Sequence, residues 1–132
     1  MTVLGVGVDL VHIPSFEDQI QRPGTGFDAV FTTGERSDVQ QKGSLPARHF
    51  AARWAAKEAV IKAWSASVWG EAPVTKDSVF HLIEVVTDAW GRPRIKLHGE
   101  VAKLLPDVDF QLSLSHDGDY ATAYVVMSSR AS

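Results

Sequence analysis

Asp9 and Glu58 are the carboxylates of this sequence most able to share work on an anion. Glu58 lies within Arg53-Trp54-Ala55-Ala56-Lys57-Glu58-Ala59-Val60-Ile61-Lys62-Ala63, whose Ala, Lys, Glu and Arg favour a helix. At ~100° per residue it falls within roughly 60° of Ala47, Ala51, Trp54 and Ile61. The spacing therefore predicts a carboxylate on the apolar stripe, which is costly unless it is paired or binds a metal. Lys62 projects beside it, one turn later. Asp9 ends an apolar strand, on the face that carries the small residues. Together the carboxylates offer two hard oxygen ligands, the number usual where Mg²⁺ keeps waters and borrows phosphate oxygens. Plainer readings stand beside this one. Asp9 could cap the following turn, and Glu58 could be neutralised by Lys62 at i, i+4.

Other chemistry-bearing residues say less on their own. Arg53 and Lys57 share a helix face, and a solvated basic face is the default explanation. Phosphate binding there becomes attractive only if the carboxylates bring a cation. His116, in Ser113-Leu114-Ser115-His116-Asp117-Gly118, sits at a strand end beside a tight turn, ordinarily a surface position. Ser115 and His116 point to opposite faces of their strand, which argues against a nucleophile–base dyad. His49 reads as a helix-surface residue. Gly5 and Gly7 lack the further glycine and the Lys-Ser/Thr of a nucleotide loop. Trp54, Trp64, Trp69 and Trp90 read as core or interface.

These residues need elements to hold them. Thr2 to Leu10 reads as a strand with Leu4, Val6, Val8 and Leu10 on one face and Val3, Gly5, Gly7 and Asp9 on the other. Pro14 to about Gln21 reads as a short helix before the turn Pro23-Gly24-Thr25-Gly26. Phe27 to Phe31 is short and apolar, and Thr32-Thr33-Gly34-Glu35 resembles a capping sequence opening a helix to about Gln41. The principal helix is expected from about Pro46 to Ser67, followed by a loop over Gly70 to Val79. Phe80 to Asp88 and Arg94 to His98 read as strands joined through Trp90-Gly91-Arg92-Pro93. A short helix over Glu100 to Leu105, a strand over Asp109 to Ser115, a turn at Asp117-Gly118 and a returning strand over Tyr120 to Met127 complete the chain. Ser128 to Ser132 is expected to fray. The sum is an α+β domain with a mainly antiparallel sheet packed against a long helix.

Composition narrows the class. The 132 residues make one domain, and 45% apolar with 22% charged residues is the balance of a soluble globular protein. No apolar run approaches the ~18–20 residues needed to span a membrane, and no signal peptide is expected. Zero cysteines exclude disulfides and thiolate metal sites and fit a cytoplasmic protein. A net charge of −3 offers no general attraction for nucleic acid, so any anion recognition must be local.

In this order, Gly7-Val8-Asp9-Leu10, Phe31-Thr32-Thr33-Gly34-Glu35, Trp54 to Ala63, Gly91-Arg92-Pro93 and Leu114-Ser115-His116-Asp117 with Ala121 and Ala123 resemble the 4′-phosphopantetheinyl transferases, specifically the short bacterial holo-acyl-carrier-protein synthase type. The resemblance covers nearly the whole chain. It implies transfer of the phosphopantetheine arm of coenzyme A to a serine of an apo acyl carrier protein or carrier domain, releasing adenosine 3′,5′-bisphosphate, in support of fatty acid biosynthesis. By the resemblance, Asp9 and Glu58 hold Mg²⁺, and Lys62 contacts the pyrophosphate and stabilises the leaving group. Arg53 and His116 contact phosphate or nucleotide, His116 towards the 3′-phosphate. The serine proton leaves through water at the metal or a nearby carboxylate, Glu58 or, less favoured, Glu35.

Longer members fuse two halves and place a third acid two residues beyond the strand Asp. This chain has one half-sized unit and Val11 there, so the resemblance implies a homotrimer with sites between subunits and water completing the metal shell. One departure stands out. Short-type enzymes commonly carry basic side chains on the first helix to dock an acidic carrier, whereas here that segment has Glu17 and Asp18, with Arg22 only at its end. Two other classes stay open at this point: a non-catalytic coenzyme A or nucleotide-binding module, and a metal-dependent phosphohydrolase.

Overall fold

Gly5 and Gly7 decide how the two principal elements meet. Strand β1 (Val3–His12) turns its small side inward against helix α4 (Pro46–Ser67). A Cβ on Gly7 would overlap the carbonyl oxygen of Ala59, and one on Gly5 that of Ala63. Backbone therefore lies on backbone, an approach only glycine permits. The computed structural model describes residues 1–24, 26–73 and 78–130. Thr25, part of the expected glycine turn, and much of the expected loop after Gly70 lie outside the described residues.

The remaining elements are α1 (Ile13–Ile20), α2 (Phe27–Val30), α3 (Thr33–Lys42), a 3₁₀ turn (Phe80–Leu82), β2 (Ile83–Thr87), β3 (Pro93–Leu97), α5 (Gly99–Leu104), β4 (Val108–Asp117) and β5 (Tyr120–Ser129). Strands β1, β5 and β4 form one antiparallel sheet in that order, and β2 and β3 form an antiparallel ribbon. The α+β reading with a mainly antiparallel sheet holds. Helix α4 keeps the expected bounds, with Pro46 in its first turn, where a missing N–H costs nothing. Phe80 to Leu82 forms the 3₁₀ turn instead of strand. Ser128 and Ser129, expected to fray, belong to β5: Ser128 is buried opposite Val3, and Ser129 Oγ accepts from Thr2 N at 3.0 Å.

The largest correction concerns which side of α4 faces inward. Ala51, Ala52, Ala55, Ala56, Ala59 and Ala63 are buried, and so are Arg53 (4% exposed) and Lys57 (0%). The solvated basic face expected for Arg53 and Lys57 is therefore a buried one. Glu58, Trp54 and Ile61 sit half-buried at its margin. Lys57 Nζ meets Glu35 Oε1 at 2.8 Å and also donates to the carbonyls of Phe80 and Ile83. Glu35, equally buried, closes the capping box of α3 by accepting from Thr32 N at 2.9 Å, and its other oxygen accepts from Val85 N at 2.8 Å. Every proton of the ammonium has an acceptor, which is what makes burying this pair tolerable. Removing one partner alone would strand the other, at about 3–5 kcal/mol.

Candidate active site

Asp9 leaves β1 on the inward face, two residues beyond Gly7, and so points towards α4 with its side chain 16% exposed. There it meets the helix margin that carries Glu58 and Lys62. Lys62 Nζ lies 3.1 Å from Asp9 Oδ1 and donates to the Val8 carbonyl at 3.0 Å. The helical i, i+4 pairing of Lys62 with Glu58 thus gives way to an ion pair between helix and strand. Glu58 ionises with difficulty. Partial burial, and then the negative charge of Asp9, push its carboxyl above the usual range, with Lys62 opposing. Two carboxylates whose charges oppose one another make a site with affinity for a cation.

The donor set suits a hard divalent ion. Both carboxylates are oxygen donors from facing elements, and no group of three or more His, Asp or Glu gathers among the described residues. Val11, on the same face two residues after Asp9, is packed into the core. Asp9 and Glu58 would offer two oxygen donors, a set that fits Mg²⁺ with water and ligand oxygens completing its shell.

His116 comes to the same side of the sheet. It pairs across β5 with Ala121, which pairs with Val11, while Leu114 and Asp9 flank Ala123. Residues opposite one another in a ladder share a face, so His116 and Asp9 occupy one face on the two outer strands. Ser115 lies on the other face, which disposes of a Ser115–His116 dyad.

His116 also belongs to a positive cluster. The imidazole of His49 is driven below its usual range by burial, and then by Arg53, Lys42, Arg48 and His116. Arg53 donates to the His49 carbonyl at 3.2 Å, and the Nε atoms of Arg48 and Arg53 are buried without a hydrogen-bond partner. The guanidinium of Arg53 also feels Asp38 and Glu35. Arg53 is therefore a buried member of this cluster, bonded to the backbone of His49.

Sequence reasoning missed three features here. Arg48 and His49 had no spacing to single them out. Glu35 read as a cap, and nothing local marks its second partner 22 positions on. Its use as a base is excluded by geometry, because both oxygens are buried and occupied. Trp54 and Trp64 pack in the core as expected, while Trp69 (90%) and Trp90 (80%) are exposed.

Residues 5–125 match the model of the 4′-phosphopantetheinyl transferase superfamily. The holo-[acyl-carrier-protein] synthase of Mycobacterium ulcerans is 56% identical over 127 residues, covering 96% of this chain and 98% of that protein. Its namesake from Mycobacterium tuberculosis strain H37Rv is 54% identical with the same coverage. Among solved structures, the Chronobacterium ammoniagenes ACPS–CoA complex superposes with a TM-score of 0.90 at 49% identity, covering 96% of this chain and 98% of that one.

Proposed function

The chain belongs to the 4′-phosphopantetheinyl transferase superfamily and is an enzyme of it, and we propose that it moves the 4′-phosphopantetheine group of coenzyme A onto a serine of an apo acyl carrier protein. The observation that carries the reading is the meeting of Asp9 and Glu58, on strand and helix, with Lys62 at 3.1 Å from Asp9. Serine Oγ bonds to the phosphorus bearing the pantetheine arm, the bond from that phosphorus to the bridging oxygen breaks, and adenosine 3′,5′-bisphosphate leaves. Asp9 and Glu58 would hold Mg²⁺, which when bound supplies positive charge against the pyrophosphate oxygens. Lys62 neutralises charge growing on the departing phosphate. Glu58, the carboxylate at this margin of α4, is the residue assigned to take the serine proton, directly or through water. His116, beside His49, is assigned to the 3′-phosphate, with Arg53 adding positive potential.

The assembly belongs to the same reading. Leu4, Val6, Val8 and Leu10 are 39–65% exposed on β1, beside Tyr120 and Tyr124 of β5 at 48% and 50%. So large an apolar face marks an interface, and we assign it to a homotrimer whose sites are completed between subunits. Helix α1 is acidic at Glu17, and Asp18 is tied to Arg22 at 2.7 Å, so steering of an acidic carrier by α1 is weak. A carrier of fatty acid biosynthesis in the cytoplasm is the acceptor this reading favours.

The deciding experiment incubates the enzyme with coenzyme A and Mg²⁺, with and without apo carrier, and weighs the products. A carrier heavier by one phosphopantetheine, with adenosine 3′,5′-bisphosphate released only when carrier is present, supports transfer. Release without carrier would make the protein a phosphohydrolase, and binding without either product a non-catalytic module.

A further inference from the structure

Helix α4 meets the core with few large side chains to fix its rotation. Six of its buried residues are alanines, at Ala51, Ala52, Ala55, Ala56, Ala59 and Ala63, with Val60 and Trp64 the larger apolar side chains buried among them. Alanine methyls resist a turn less than interlocking larger side chains would, because each fills the same small volume. Gly5 and Gly7 set how close α4 comes to β1, but a smooth contact does not set its angle. Turning matters at Glu58. A carboxylate roughly 6 Å from the helix axis shifts about 2 Å for a ~20° rotation.

Besides Lys62, half-exposed and bonded to Asp9 and the Val8 carbonyl, a fully buried directional contact that resists such a turn is made by the residue before Glu58. Lys57 directs its three ammonium protons at acceptors from three places: Glu35 of α3, the Phe80 carbonyl of the 3₁₀ turn and the Ile83 carbonyl of β2. Glu35 is itself held by Thr32 N and Val85 N. We propose that the buried Lys57–Glu35 pair is a positioning device that locks the rotation of α4 and so aims Glu58 at Asp9. The pair touches no substrate and acts only through the helix; its catalytic consequence rests on the function proposed above.

The test replaces both partners with apolar side chains, Lys57→Met with Glu35→Leu, because replacing a whole buried pair spares the fold where removing one member does not. Thermal unfolding and circular dichroism report folding. Steady-state transfer gives kcat and KM, and Mn²⁺ titration by electron paramagnetic resonance reads the carboxylate pair without turnover. The folded double variant is expected to lose roughly 10–100-fold in kcat and in Mn²⁺ affinity, as when the supports of metal ligands are removed, with KM for coenzyme A little changed. Val101→Ala, a cavity at the buried residue of α5, is the stability comparator and should alter neither.

If the double variant does not fold, Lys57→Arg decides. It keeps the charge but cannot direct three protons at the same acceptors, and it should lower kcat and Mn²⁺ affinity in a folded protein. Wild-type kcat and Mn²⁺ affinity in either folded variant would overturn the proposal. Should the wild-type enzyme bind Mn²⁺ yet label no carrier, the function proposed above falls, while the affinity comparison still judges the positioning role.

Discussion

Ionising Glu58 costs the folded chain something, because burial and the charge of Asp9 both oppose it. A carboxyl whose pKa is higher folded than unfolded holds its proton more tightly when folded. Stability therefore falls as pH rises through that interval, and the cost is fully present above the folded pKa. Glu58→Gln should abolish transfer yet raise the melting temperature by a few degrees at pH 7.5. That gain should vanish in acid, below the unfolded pKa, as calorimetry across pH would show. His49 carries the opposite sign: protonation is what costs, so its stabilising contribution is lost as pH falls from the unfolded value through the depressed folded one. An anion among Arg48, His49, Arg53 and His116 should cancel their repulsion. Adding adenosine 3′,5′-bisphosphate should thus move the His49 titration midpoint upward, read by NMR of its ring protons, and an unmoved midpoint would place the 3′-phosphate elsewhere.

Elements were legible where their signals are local. The Thr32–Glu35 capping box and the Pro46 start of α4 follow from spacing of a few residues, and both appear as read. Which face of α4 turns inward was not legible. Alanines on nearly every side leave no stripe to read, so the choice falls to Gly5, Gly7 and Glu35, each far along the chain. The site was half legible for the same reason. Asp9 and Glu58 stood out by residue type, but only the fold reveals that Lys62 pairs with Asp9 instead of Glu58. Gly7→Ala tests the backbone contact directly. Its methyl would strike a carbonyl that belongs to the helix and cannot swing aside, so α4 must move off β1. Chemical denaturation should register a loss of about 1–3 kcal/mol, and transfer should fall further than the unfolded fraction explains as Asp9 and Glu58 separate.

On the scale of the whole molecule, strand β1 is inverted relative to the usual arrangement: Gly5 and Gly7 face α4, while Val6, Val8 and Leu10 face out. If that outer face is the trimer interface, Leu10→Asp should yield folded monomers by light scattering with little labelling activity. A trimer that survives the substitution would move the interface elsewhere. The order β1-β5-β4 carries a consequence for biosynthesis. Asp9 stands on β1, and β5, the strand that flanks it, is made only after every other element described between them. At ~5–20 residues per second the wait is on the order of ten seconds. Throughout it, β1 is a greasy ribbon with open edges, prey for chaperones or for wrong partners. The two carboxylates gain a settled scaffold only once β5 has been made, so a nascent chain stalled before Tyr120 should carry Asp9 and Glu58 and yet have no active site.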